Sequence, residues 1–210
     1  MNCVDYLQPY EAIAIHDKII LASGGMLGLR DEGLLISALT MIQNDLYYPS
    51  FSSKLVHLIF SINKNHCFID GNKRASISLG ASFLLNNGWS SEFVASFIMA
   101  MEEVVVWLAN DEINKNDLNL IIECLFLKFG SSKDYVDAMI QELLTDFRNM
   151  VKDLSYLIQI DNDIITSLKK LNRINQIQIY KDEIIESEEW IRKAQKEIKI
   201  WELILKFLQN

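Results

Sequence analysis

Residues 66–74 read His66-Cys67-Phe68-Ile69-Asp70-Gly71-Asn72-Lys73-Arg74, and the runs on either side of them set the fold class. Upstream, Leu55, Leu58, Ile59 and Ile62 recur at helical spacing in a segment that Ser52 or Ser53 can cap and that runs through Asn65. Downstream, a second helix is predicted from near Asn72 to Asn87, where Gly88 supplies a left-handed stop. The nine residues are therefore a short polar loop between two helices.

Working outward, the same periodicity continues in both directions. Pro9 to Ser23 places Ile13, Ile15, Ile19 and Ile20 against Glu11, Asp17 and Lys18, and Ser23-Gly24-Gly25 ends that helix. Asp31 is the expected cap of a helix from about Glu32 to Gln43. Asn44 to Ser53 reads as a loop, in which Tyr47 to Phe51 can form a short hairpin. The most apolar window, Phe93 to Ala109, is interrupted by Glu102 and Glu103 and is too short to cross a bilayer comfortably, so it reads as a buried core helix. No strand is demanded, and the fold class is all-α.

All eight glycines and both prolines fall within residues 1–130, and the following eighty residues contain none. Turn punctuation stops there, which divides the chain into a domain of medium helices, 1–130, and a long helical extension, 131–210. Ser131 and Ser132 offer caps for a run reaching Ile160, and Asp161-Asn162-Asp163 is expected to break or bend it. From Ile184 the spacing is strict: Ile184, Ile191, Ile198 and Leu205 recur every seven residues, with Ser187, Ala194, Trp201 and Leu208 between them. Such a seam suits a coiled-coil contact, including one between copies of the chain, and equally an amphipathic helix packed on its own domain. Both readings stay open on the sequence.

Composition narrows the function. With 210 residues, half of them apolar, the chain can bury a substantial core. A formal charge of −8 gives no basic stripe for nucleic acid. Cys3, Cys67 and Cys124 are widely spaced, with no Cys-x-x-Cys pair, which suits a reducing cytoplasm better than disulfides or a thiolate metal site. Asp5 and Glu11 near the start, without a basic segment leading into an apolar run, do not read as a signal peptide, so a cytoplasmic protein away from membranes is expected.

The loop itself carries the chemistry. An imidazole, His66, can take a proton from an attacking hydroxyl. A carboxylate, Asp70, can hold magnesium, which prefers one or two carboxylates plus phosphate and water. Free N–H groups at a helix start form an anion cradle, here lined by Gly71, Asn72 and Lys73, and Lys73 and Arg74 add positive charge where phosphate oxygens gather. Phe68 is the expected anchor of the loop in the core, with Ile69 beside it. Any one of these residues alone is more simply a connector; the set matches phosphate-group transfer. Gly24, Gly25 and Gly28 follow no strand and read as turn residues, while His16 and His57 read as hydrogen-bonded helix positions.

The whole string resembles the Fic/Doc family signature, His-Pro-Phe-x-Asp/Glu-Gly-Asn-Gly/Lys-Arg, departing only at Cys67, where proline is usual. Cys67 reads as a buried loop residue and not a nucleophile. Gly28-Leu29-Arg30-Asp31-Glu32-Gly33-Leu34-Leu35-Ile36-Ser37-Ala38-Leu39 resembles the death-on-curing branch, as do His16 with Gly24-Gly25 and the Tyr48-Pro49 loop. The resemblance runs from about Tyr6 to Phe126. It implies a compact helical bundle with the motif loop between two central helices, His66 as base, Asp70 as ligand of Mg2+, and Gly71 to Arg74 as the cradle for ATP or another nucleoside triphosphate.

The adenylylating branch carries glycine where Lys73 stands and a second arginine where this chain has Ile77. Both departures favour the Doc-like branch, whose activity is phosphorylation of a translation factor, and they rank a toxin-like kinase above adenylyl transfer. A scaffold whose C-terminal helices bind a partner is the rival from another class. The family implies a target-aligning flap at Tyr47 to Phe51. An inhibitory Ser/Thr-x-x-x-Glu-Gly/Asn pattern is not found, so regulation is expected from a separate antitoxin or from the C-terminal helices.

Overall fold

A computed structural model of the chain describes residues 4–127 and 133–209. Its described residues form eight α-helices and no strand, apart from one isolated bridge between Leu29 and Phe68. The chain divides into two units, residues 1–129 and 130–210. No helix among the described residues is long and apolar enough to cross a membrane.

In the first unit α3 (Phe51–Asn65) and α4 (Asn72–Asn86) pack together at the centre, surrounded by α1 (Pro9–Ser23), α2 (Glu32–Met41), α5 (Ser91–Ala109) and α6 (Lys115–Leu127). Leu55, Leu58, Ile59 and Ile62 of α3 and Leu79, Phe83 and Leu84 of α4 are fully enclosed, which makes this pair the core of the unit. A methyl on Gly80 of α4 would stand 3.1 Å from the Ile59 side chain, so the absence of a side chain there lets the two helices approach. The mid-helix glycine costs about 1 kcal/mol of helix propensity, which this packing offsets.

Several local expectations hold. Asp31 caps α2 by accepting from the Leu34 N–H at 3.0 Å. The Phe93 to Ala109 run lies within α5, with Phe93, Phe97, Met101, Val104 and Leu108 buried and Glu102 and Glu103 exposed. Others move. The cap of α3 is Ser50, not Ser52 or Ser53: its hydroxyl accepts from the Ser53 N–H while the Ser53 hydroxyl answers the Ser50 N–H. Tyr47 to Phe51 forms no hairpin. Tyr47 and Tyr48 donate their N–H groups back to the Asn44 carbonyl in a turn, and Phe51 already belongs to α3.

One packed cluster outside the loop titrates. The His57 ring stacks on Tyr48 at 4.3 Å, and the Lys115 Nζ lies 2.9 Å from its Nδ1. Burial first, and the Lys115 charge second, push the imidazole down to about 4. An unfolded histidine titrates at about 6.5, so between those values the unfolded chain binds a proton that the folded chain refuses. Folding stability is therefore expected to fall as pH drops from 6.5 towards 4. A His57→Phe variant, compared by urea unfolding at pH 7 and pH 4.5, should lose that part of the slope; an identical slope would show that His57 does not cause it.

The second unit is a pair of long helices, α7 (Lys133–Lys170) and α8 (Ile177–Gln209), joined through a 3₁₀ turn at Ile174–Gln176 and packed against each other. Ser131 and Ser132 lie outside the described residues. The Asp161-Asn162-Asp163 patch does not interrupt α7: Asn162 donates its side-chain amide to the Ile158 carbonyl, and the helix continues for two further turns. Along the α8 seam Ala194 is buried and Ile184, Ile191 and Ile198 are half-buried. Arg148 and Glu202 join the two helices across a 2.6 Å ion pair. Both side chains are half exposed, so the pair contributes little to stability.

Candidate active site

The loop begins where α3 stops. His66 is the C-cap of α3 in a left-handed conformation, φ 51° and ψ 49°, which turns the chain out of the helix. Its side chain is exposed. Cys67 and Phe68 then plunge into the core with no exposure at all. Burial pushes the Cys67 thiol up to about 11, so it is no thiolate nucleophile.

Two stretches 40 residues apart are stitched together here. The Cys67 carbonyl accepts from the N–H groups of Arg30 and Asp31, at 2.7 and 3.1 Å, and the Ile69 N–H donates to the Gly28 carbonyl at 3.0 Å. Arg30 adds a guanidinium bond to the Ile69 carbonyl at 3.3 Å. The Gly28 to Asp31 segment is thus a brace for the loop.

Asn72 holds the loop from the other side. Its Oδ1 accepts from the Phe68 N–H at 3.0 Å and its Nδ2 donates to the Phe68 carbonyl at 2.9 Å. The side chain is therefore committed to the protein's own backbone, and Asn72 can serve the expected anion cradle through its main-chain N–H. Phe68 lies flat on the His16 ring, 3.9 Å away and 2° from parallel.

Asp70 faces the start of α4. Its Oδ1 accepts from the Gly71 N–H at 2.6 Å and its Oδ2 from the Met26 N–H at 3.3 Å. The Gly71 N–H first, then that of Met26, hold the carboxyl below the ordinary carboxylate value, so it is ionised at neutral pH. Gly71, at φ 73°, is the N-cap of α4, and no side chain caps that end. The first backbone bond of the helix is from Ala75 to the Gly71 carbonyl, 2.8 Å. The N–H groups of Asn72, Lys73 and Arg74 precede it and have no partner within the helix, so they suit an anion at the positive end of the helix dipole, whereas the Gly71 N–H expected beside them is spent on Asp70 Oδ1.

The two cations differ. Lys73 is exposed and makes no ion pair among the described residues. Arg74 is tethered: its Nη1 donates to the Ser23 hydroxyl and, at 2.7 Å, to the Gly24 carbonyl, while its Nη2 stands 3.8 Å from the Asp70 carboxylate. Arg74 thus ties the start of α4 to the end of α1.

The Gly24-Gly25 pair acquires a reason. A Cβ on Gly25, at φ 130°, would stand 2.6 Å from Asp70 Oδ2 and 3.1 Å from the Arg74 guanidinium. Gly25→Ala is expected to displace the carboxylate and lower metal-dependent nucleotide binding or turnover by about 10²-fold, since misplacing a reacting group by an ångström has that effect. Isothermal titration of nucleotide with and without Mg2+ measures it; an unchanged Mg2+ dependence would show that Asp70 tolerates the intrusion.

Magnesium fits this donor set. Each Asp70 oxygen accepts one N–H and keeps a lone pair, and no group of three or more His, Cys, Asp or Glu side chains gathers among the described residues. A single ionised carboxylate beside an anion cradle suits an ion that arrives with polyphosphate and keeps its waters, not one held in an all-protein cage.

With that geometry in view, the comparisons with known proteins carry the assignment. Residues 6–84 match the profile of the Fic/DOC family. Over 87 residues the chain is 30% identical to "Protein kinase doc" of Escherichia phage P1, covering 40% of this chain and 68% of that protein. The chain belongs to the Fic/DOC family. A second Fic/DOC relative, "Toxin Doc" of Mycolicibacterium smegmatis, is 39% identical over 72 residues, which cover 32% of this chain and 55% of the relative's own length. The family profile lies within the first unit and ends within α4.

Sequence reasoning placed His66, Phe68, Asp70, Gly71, Asn72, Lys73 and Arg74 on one loop and helix start. It missed the bonds that hold them: the bidentate Asn72 amide, the His16 contact with the Asp70 carbonyl, and the Met26 N–H. A buried-looking histidine followed by a double glycine was the available signal, but which backbone atoms they meet depends on how α1 crosses α4.

Proposed function

We propose that the chain transfers the γ-phosphoryl group of ATP or another nucleoside triphosphate to a Ser, Thr or Tyr hydroxyl of a target protein. The single observation that carries this reading is the uncapped start of α4 with an ionised Asp70 lodged against it. In this scheme His66 accepts the hydroxyl proton as the oxygen bonds to the γ-phosphorus. The bond from that phosphorus to the bridging oxygen breaks, and the nucleoside diphosphate leaves with the electron pair. When bound at Asp70, Mg2+ neutralises phosphate charge and orients the oxygens. The main-chain N–H groups of residues 72–74, with Lys73 and Arg74, stabilise the charge spread over the transferring group.

Phosphoryl transfer ranks above adenylyl transfer because Lys73 occupies the glycine position of the adenylylating enzymes, and the buried Ile77 leaves no second cation on the next turn. One relative is named as a toxin, and with the family resemblance this supports a toxin restrained by an antitoxin, acting in the cytoplasm with a translation factor as the kind of target. The test is incubation with lysate and either γ-labelled or α-labelled ATP, with Mg2+ and with EDTA. Mg2+-dependent γ label on protein is expected. α label would establish adenylylation instead, and no label from either would leave a scaffold built on the same fold.

A further inference from the structure

His16 is buried to 1% exposure on α1, a helix that supplies none of the reacting groups. Its ring is fixed on three sides. Nε2 lies 3.0 Å from the Asp70 carbonyl oxygen, Nδ1 lies 3.0 Å from Asp17 Oδ1, and one face stacks on Phe68. Carbonyl and carboxylate oxygens only accept, so in this geometry Nε2 donates to the Asp70 carbonyl and Nδ1 to Asp17.

What that bond restrains is the peptide between Asp70 and Gly71. Its carbonyl points to His16, and its N–H points to the Asp70 carboxylate at 2.6 Å. Glycine follows immediately, at φ 73°, and glycine accepts either sign of φ at little cost. This peptide is therefore the softest joint in the loop. Were it to flip, the carboxylate would lose its strongest N–H donor and the first turn of α4 would lose its N-cap geometry. Phe68 and Ile69 are held by Asn72 and Gly28. The 70–71 peptide has no comparable backbone clamp.

We propose that His16 is a positioning residue for the loop: its Nε2–H locks the Asp70–Gly71 peptide in the orientation that aims the Asp70 carboxylate and the open α4 amides at one place. Asp17 orients the ring by engaging Nδ1. The consequence for turnover rests on the transfer reading above; the structural statement does not.

Three proteins test it: the unsubstituted full chain, His16→Phe, which keeps the stacking and removes the donor, and His16→Gln, which returns an N–H near the Nε2 position. In the unsubstituted chain, ¹⁵N-imidazole NMR should find Nε2 protonated. In His16→Phe, amide exchange at Gly71 should rise about 10- to 100-fold, the range for an acceptor that loses its donor, while that at Ile69, held by Gly28, changes less. In a transfer assay the same variant should lose kcat/KM for nucleotide by about that factor, because Asp70 and the α4 amides no longer point to one place. His16→Gln should restore both.

A bare Nε2 overturns the proposal, as does exchange in His16→Phe equal to that of the unsubstituted chain. Glutamine as loose as phenylalanine also overturns it, since packing of the ring would then be the cause. If no protein transfers label, the transfer reading fails while the imidazole and amide measurements still decide the role of His16. If His16→Phe does not fold, the Nε2 proton and the glutamine comparison decide it.

Discussion

The His66→Ala protein is expected to keep its fold and lose transfer by about 10²- to 10⁴-fold, the range that a positioned general base contributes. The fold should survive because the imidazole is exposed and lies outside the core. Nothing nearby among the described residues replaces it: the Cys67 thiol is buried and protonated, and the Asp70 carboxylate is engaged by two backbone N–H groups. A His66→Gly companion separates chemistry from backbone. Position 66 sits at φ 51°, where a side chain costs about 1 kcal/mol that glycine avoids. His66→Gly should be as inactive as His66→Ala and more stable than it, by up to that amount. Label transfer and urea unfolding read the two effects, and transfer retained in either variant would remove His66 from the role of base.

Asn72→Ala is expected to have the largest effect on stability of any polar truncation in the loop. Its amide satisfies the Phe68 N–H and the Phe68 carbonyl together, and both lie at a fully buried residue. Truncation leaves a donor and an acceptor in the core without partners, and each such group costs about 1–3 kcal/mol. A loss of about 2–4 kcal/mol follows, because the loop can relax enough for water to reach one of them. Transfer should fall as well, since Phe68 anchors the segment between His66 and Asp70. Asn72→Asp sharpens the test: it keeps an acceptor for the Phe68 N–H but sets a carboxylate against the Phe68 carbonyl, so it should be no better than alanine. Urea unfolding of the three proteins decides it; Asn72→Ala within 0.5 kcal/mol of the unsubstituted chain, about the scatter of an ordinary surface change, would mean that the clamp contributes nothing.

Much of the fold could be read from local pattern. The 3.6-residue spacing of Leu55, Leu58, Ile59 and Ile62 and the cap at Asp31 depend on neighbours within a turn or two, and the structure has them where the periodicity put them. The misplacements were local as well. Ser50 outcompetes Ser52 and Ser53 as cap because it stands three residues before Ser53 and the two can bond reciprocally. Asp161-Asn162-Asp163 looked like a break, yet a helix tolerates polar residues whose side chains reach solvent or the carbonyl four residues back.

By itself, then, the sequence determined that the protein is helical, that a polar loop joins its two central helices, and that the loop carries an imidazole, a carboxylate, a glycine and two cations within nine residues. Only the tertiary structure decided which of those side chains stay exposed and which are spent inside. Asn72 turned inward to the Phe68 backbone, Arg74 reached back to the end of α1, and His16, fifty-four residues from Asp70, came to hold its carbonyl. The reason is physical: a helical period is written in residues a few positions apart, whereas the partner of a buried polar group is whatever the packing of distant helices brings within hydrogen-bond reach.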